Sequence, residues 1–468
     1  MSVTPAQLAD IAVDHAQASH SGADSGVHVF AIVVHDSRMD VRWARNTLTT
    51  NGVRATVTAT VIGFVPVRGG VGVASLTVSS PDATAMRDLV DAVLRSAADA
   101  PPADDQYAFV SDIESGDWTE PASLVDVHGV EKVAASLGEA FRDASAAGIE
   151  HFGYAEQGLE TTWLASTTGV RRAFIRPAGR VEMTAKSHQR TRSAWQGHAG
   201  EDITAVDISL LDLRLREGLD WQATRLDVPP GRHRAILTSG AVADLMCEFW
   251  WTATARDAVE GRSVFSAPAG TRLAERLTER NLTIASDPHD TFFTSAPFMA
   301  SSSSSSHASV FDNGITIHRQ EWLAAGQLKG LIAPRATADK LAMPARVSAD
   351  CLTITDAEGS GSVADLAQRA GEGLLVTCLW YNRVVDPQSL LITGLTRDGV
   401  YVVQGGEIVG CTSNFRFNDS PVGMLARISD AGETTRTLPR EMGDYVDRIA
   451  APPLVIEDFN FSTVSDAL

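Results

Sequence analysis

Residues 373–408 read GLLVTCLWYNRVVDPQSLLITGLTRDGVYVVQGGEI. Apolar, β-branched runs alternate here with turn dipeptides, Asp386–Pro387 and Asp398–Gly399. That pattern predicts three strands joined by tight turns. Asp386 precedes a proline, which pushes it to extended geometry and favours a turn. The same texture continues on both sides. FDNGI at 311–315, AAGQLKG at 324–330 and QGGEI at 404–408 are turn clusters between short apolar runs. From Leu282 onward almost every segment is a β-run with a turn, which predicts a β-rich barrel or sandwich over residues 225–468.

The chain before that boundary has a different texture. Leu8, Ile11, Ala12 and His15 follow helical spacing. Four β-runs follow, Val27 to Val34, Met39 to Arg45, Val53 to Val61 and Val71 to Val78, with HDSRMD, TTNG and VRGG read as the turns between them. Pro81 opens a helix with Met86, Leu89, Val90 and Leu94 on one face, and the proline-bearing AADAPPADD connects onward. A further helix is expected from Val130 to Ala147. Four short strands follow it: His151 to Tyr154, Thr161 to Ala165, Arg171 to Arg176 and Arg180 to Lys186. Short loops favour antiparallel pairing, so residues 1–224 read as an α+β domain of antiparallel sheet and helices.

Bulk composition narrows the function. A chain of 468 residues is too long for one ordinary core. Hydrophobic residues at 44% and charged residues at 21% match a globular protein. No apolar run approaches the ~18 residues of a membrane span. The N-terminus lacks the basic flank and apolar stretch of a signal peptide, so a cytoplasmic location without membrane attachment is expected. With 39 Lys and Arg against 58 Asp and Glu, the net charge of −19 argues against a nucleic-acid partner. Cys247, Cys351, Cys378 and Cys411 show no CxxC spacing and read as reduced, buried thiols. There is no GxSxG elbow, P-loop or GxGxxG, and no two of the twelve histidines lie at i, i+3 or i, i+4. The serine run 301–306 reads as an exposed loop, and GSGS at 359–362 as a turn or helix cap.

An ordered set of segments in the C-terminal half resembles the TldD/PmbA (TldD/TldE) metalloprotease family. They are Pro230–Gly231 before a strand, the helix 241–251, EGRSVF at 260–265, RNLTIASDP at 280–288, FDNGI at 311–315, WLAAGQLKGLI at 322–332, the opening segment, and NFRFNDSP at 414–421. Catalytic members carry HExxxH on the helix after the proline-turn strand. Their two imidazoles and a distant thiolate bind zinc, and the glutamate polarises its water. Here those positions hold Cys247, Glu248 and Thr252, within MCEFWWTA, and both histidines are gone. The resemblance therefore implies a TldE-like chain that carries no metal itself and works beside a zinc-bearing TldD-type subunit on unfolded or small peptides. A self-sufficient hydrolase recruiting Cys247, Glu248 and distant histidines, and a peptide-binding scaffold without catalysis, are the alternatives.

The remaining candidates are contacts. Trp250 and Trp251 suit core packing, a subunit interface or peptide binding. Arg383 and Asp386, in WYNRVVDP, suit a peptide or partner contact, with a plain turn as the competing role for Asp386. Cys247 beside Phe249, Trp250 and Trp251 reads as a small buried hydrophobe, because a nucleophile would need a nearby base.

Overall fold

A computed structural model describes residues 3–19, 26–120 and 122–465. The first helix, α1 (Pro5–Ser19), buries Leu8, Ala12 and Ala16 at helical spacing. Three strands follow: β1 (His28–Ala44), β2 (Thr47–Val67) and β3 (Gly70–Ser79). Where four strands were expected, β1 passes straight through HDSRMD, and TTNG lies inside β2. The real turn is Arg45–Asn46, both at left-handed φ of 53° and 60°. That geometry matches the twist of a two-residue hairpin.

α2 (Ala83–Ala98) starts at Asp82, whose carboxylate accepts from the backbone of Thr84 and Ala85. After the two-residue strand β4 (Glu114–Ser115) come α3 (Val127–Ala146), β5 (Glu150–Ser166), β6 (Arg171–Ser187), β7 (Arg192–Gly200) and α4 (Ile208–Trp221). The expected meander of four short strands is two long ones, β5 and β6. The strands form one sheet in the order β3-β2-β1-β5-β6, with β7 and β4 also on β6. It is an antiparallel half-barrel apart from the short β4.

One sheet face is apolar. Val29, Ala31 and Val33 pack under α1 and α2, while Val41, Trp43, Val181 and Met183 pack with residues of α3 and α4. The other face is apolar near the start of β1, where Phe30, Ile32, Ile62 and Phe64 pack with Phe298 and Phe311, and charged farther along. Cross-strand register sets Arg42 beside Tyr154 and Glu182, Asp40 beside Glu156 and Arg180, and Asp36 beside Glu160 and Arg176. A strand with one apolar and one charged face gives its polar residues every second position. That alternation is why Asp36, Arg38 and Asp40 imitated a turn.

The second half begins with β8 (Gly231–Leu237) and α5 (Ser239–Thr252), then the short α6 (Ala255–Val259) and a minimal hairpin, β9 (Ser266–Ala267) and β10 (Gly270–Thr271). Next come β11 (Leu282–Ser286), β12 (Gln320–Ala324), β13 (Gln327–Leu328) and β14 (Leu352–Asp356). The opening segment supplies β15 (Gly373–Asp386), β16 (Leu391–Gln404) and the start of β17 (Glu407–Cys411). β18 (Asn414–Asp419), β19 (Ile428–Ala431), β20 (Thr435–Thr437), β21 (Ile449–Ala451) and β22 (Leu454–Ser465) finish the chain.

One sheet runs β13-β12-β11-β14-β21-β20. In the other, pairing follows β15-β8-β22-β18-β16 and returns to β15, so the path closes into a barrel. Its apolar filling includes Phe415, Phe417, Phe459 and Phe461, with ring centroids 5.0–5.5 Å apart. Burying each such ring stabilises the fold by about 1.5–3 kcal/mol. Asp386–Pro387 makes its expected turn, but Asp398–Gly399 is a bulge inside β16, opposite Thr377, with Asp398 at φ 54°.

Candidate functional site

α5 carries the positions that the resemblance singled out. Thr238 caps it, accepting from the backbone N–H of Ala241 while donating to the Thr377 carbonyl. The cap thus fixes the helix to β15. Only Glu248, Trp251 and Thr252 keep appreciable exposure from Gly240 onward. Cys247 is fully buried among the apolar residues of the helix. Burial, with Asp244 and Glu248 adding to it, pushes its thiol well above the usual value. This favours the protonated thiol, packed as a small apolar group.

One turn before Glu248, Asp244 is wholly buried. Its Oδ2 accepts from the Arg440 N–H at 3.0 Å, and its Oδ1 from those of Glu441 and Met442 at 3.0 Å each. Burial raises its carboxyl to about 7, against three backbone donors that favour the charged form. The carboxyl therefore pins residues 440–442 onto α5. Glu441 then reaches across to β15. It accepts from the Asn382 N–H at 2.8 Å and pairs with Arg383 at 2.5 Å. Arg383 stacks over Tyr381 at 4.4 Å, and Tyr381 itself sits at φ 59°. Burial and the nearby Glu441 raise Glu248, while Arg383 opposes them.

Arg440 faces the other way. Its guanidinium lies over Trp195 at 4.7 Å and over Trp380 at 5.5 Å, and it meets Asp398 at 3.3 Å. The Asp398 carboxylate, almost fully buried, also accepts from Ser193 Oγ at 2.6 Å. Arg180 pairs with Asp444 at 2.7 Å. Burial raises Glu182 nearby, with Arg180 and Arg440 pulling it down. The segment 440–444 thus connects the charged face of the first sheet to α5 and the barrel.

The structure gathers Glu248 and Arg383 around Glu441 and leaves the other candidates elsewhere. Trp250 is buried and donates from Nε1 to Ser348 Oγ at 3.0 Å. Trp251 meets the exposed Tyr445 edge-on, with centroids 6.1 Å apart. Thr252 ends the helix. Asp386 accepts from Ser389 Oγ at 2.6 Å and from the Gln388 N–H at 3.1 Å, closing its turn. Sequence reasoning missed Asp244, Glu441 and Arg440. A lone aspartate inside GAVADLMC was the visible signal for the first; the other two had none.

The donors on α5 do not suit zinc. They are one fully buried thiol, one carboxyl and one threonine hydroxyl, with no imidazole among them. Among the described residues, no group of three or more His, Cys, Asp and Glu is placed to hold a metal ion. No helix among them is long and apolar enough to cross a membrane.

Residues 230–463 match the family profile described as PmbA/TldA metallopeptidase C-terminal domain. The chain belongs to the PmbA/TldD family. No curated protein matches its sequence. A Thermotoga maritima protein described as a modulator of a DNA gyrase superposes with TM-score 0.75 at 15% identity, over 96% of this chain and 99% of that one. TldE from Thermococcus kodakarensis gives 0.73 at 13%, over 92% and 96%. A modulator of DNA gyrase from Bacteroides thetaiotaomicron gives 0.74 at 13%, over 98% of each chain. At these identities the likeness is one of fold, and it spans both halves of the molecule.

Proposed function

We propose that this chain is the zinc-free, TldE-like subunit of a TldD/TldE-type peptidase, shaping the cavity in which a zinc-bearing partner cleaves unfolded or small peptides. The observation that carries this reading is α5: a family scaffold whose metal-binding helix presents a buried Cys247, a Glu248 turned toward Glu441 and Arg383, and Thr252. Chemistry at those positions has been replaced by packing and a hydrogen-bonded tie between α5, residues 440–442 and β15. The half-buried Trp251 and the exposed Tyr445, Tyr381 and Arg383 would contact the peptide or the partner rather than cut.

Metal analysis and a peptidase assay test the reading together. The purified chain is expected to hold zinc far below one equivalent and to leave an unstructured peptide such as casein intact. Adding the HExxxH-bearing family protein from the same genome is expected to restore cleavage. Stoichiometric zinc with cleavage by the chain alone, lost in Glu248→Gln, would overturn the proposal in favour of a self-sufficient hydrolase. A chain that neither captures that protein nor alters its activity would point to a stand-alone scaffold.

A further inference from the structure

The two rims of the first sheet are finished differently. At the β7 rim, the Ser193 N–H donates to Gln222 Oε1 at 3.1 Å, and Gln222 Nε2 donates back to the Ser193 carbonyl at 2.8 Å. Trp195 and Ala199 of that strand pack against Cys378 and Leu438 of the second half. An amide side chain and a neighbouring layer thus close this edge. At the opposite rim, β2 pairs with β1 from Thr47 to Phe64, but β3 covers it only from Thr58 to Val67. Val57 still offers its carbonyl to the Ser80 N–H at 2.7 Å. Beyond it, residues 47–56 have no second strand among the described residues.

This open stretch has little of the usual protection beyond one bulge at Thr49, close to its turn. Edges that must stay unpaired carry lysine, proline or a bulge. TLTTNGVRAT has neither lysine nor proline, and its one charge is Arg54. Leu48 and Val53 stand 44% and 58% exposed along it. Threonine and valine favour an extended backbone. A single bulge at Thr49 interrupts the pairing with β1 next to the turn, and Thr50–Thr56 beyond it is a regular, uncapped row of backbone donors and acceptors at the rim of a half-barrel.

Charge selects among occupants. Arg54 lies beside Arg38 across the register, and Arg42 beside Thr50, all on the charged face. Arg38 is paired with Asp36 and Glu156, whereas neither Arg42 nor Arg54 has an ion pair among the described residues. A second copy, paired antiparallel about Gly52, would set Arg54 next to Thr50 and bring further arginines into the same rows. A strand carrying carboxylates would meet Arg54 directly and Arg42 at two strand spacings, about 10 Å.

We propose that residues 47–56 of β2 are the docking edge for the partner subunit, which adds an antiparallel edge strand bearing acidic residues opposite Arg54. Backbone pairing gives the affinity, and Arg54 with Arg42 gives the register. This rests on the reading of the chain as one member of a pair.

The experiment co-expresses the chain with the HExxxH-bearing family protein and follows backbone hydrogen exchange and affinity. The outward amides of residues 47–56, those not bonded to β1, are expected to exchange quickly in the free chain and to become protected in the pair. The double variant Leu48→Lys, Val53→Lys and the single variant Arg54→Glu are expected to bind at least about tenfold more weakly, while circular dichroism and melting stay as in the parent. If the parent pair forms but protection arises elsewhere and the variants bind equally well, the docking edge is wrong and the pairing stands. Should the chain instead form a dimer of itself that the lysines dissociate, the edge is occupied by a second copy and the committed partner is wrong. If the parent captures nothing and remains monomeric, both readings fall.

Discussion

The barrel of the second half and the half-barrel of the first solve the same problem in opposite ways. Every sheet exposes backbone donors and acceptors at its edges, and closure removes them. β15 pairs with both β8 and β16, so the barrel has no gap in its pairing path and buries a cluster of phenylalanines inside. The half-barrel ends in β3, which stops short of residues 47–56 of β2, and that stretch of edge carries exposed apolar and arginine side chains. The contrast teaches where this molecule is self-sufficient and where it is incomplete.

The sharpest way to break the comparison is in the barrel. Phe417→Ala removes a fully buried ring and is expected to cost about 3–5 kcal/mol, read as a shift in denaturant midpoint. A loss below ~1 kcal/mol would mean that the barrel does not dominate stability. Next is the junction of the halves. Arg440→Leu removes the nearer of the two cations on the buried Asp398 carboxylate, leaving Arg397 at 3.8 Å, and strips the stack on Trp195, at an expected cost of about 3 kcal/mol in the same measurement.

Asp244→Asn is smaller and depends on pH. The amide keeps two of the three backbone bonds and sets a donor against the Arg440 N–H, for about 1–3 kcal/mol. Because burial raises the folded Asp244 to about 7, the fold binds a proton there that the unfolded chain has released. Its contribution is present at acid pH and is lost as pH rises through the folded value. The cost of Asp244→Asn should therefore be larger near pH 5 than near pH 8 in thermal melts, a window above the ordinary carboxylate range. A cost that stays flat between pH 5 and pH 8 would mean that Asp244 is ionised throughout.

The smallest effect is at the rim. Val53→Lys in the isolated chain should shift stability by no more than about 0.5 kcal/mol, since nothing there is buried. A large loss would show that the rim is already covered within the chain, and the comparison would collapse.

Legibility followed the same division. The segment 373–408 showed its β-runs and the Asp386 turn because apolar strands bounded by proline and glycine carry their signal locally. It hid the Asp398 bulge, since Asp-Gly has the same local preference in a turn and in a bulge, and only pairing with Thr377 decides between them. β1, β5 and β6 each read as two strands because a long strand with a charged stretch on one face looks locally like strand, turn, strand. The candidate site was half visible. The MCEFWWTA replacement and Glu248 could be read directly, and so could the hydrophobic role of Cys247.

What assembled around them could not be read. Asp244 meets Arg440–Met442 across nearly two hundred residues, and Glu441 meets Asn382 and Arg383 across almost sixty. No local pattern encodes such pairs. The sequence by itself determined the strand-rich composition, the helix that lacks histidines and the family signature, because these are properties of neighbouring residues. Only the tertiary structure decided which carboxyls are buried, which cation bridges the two halves and which sheet edge stays open, because burial and pairing are set by residues far apart in the chain.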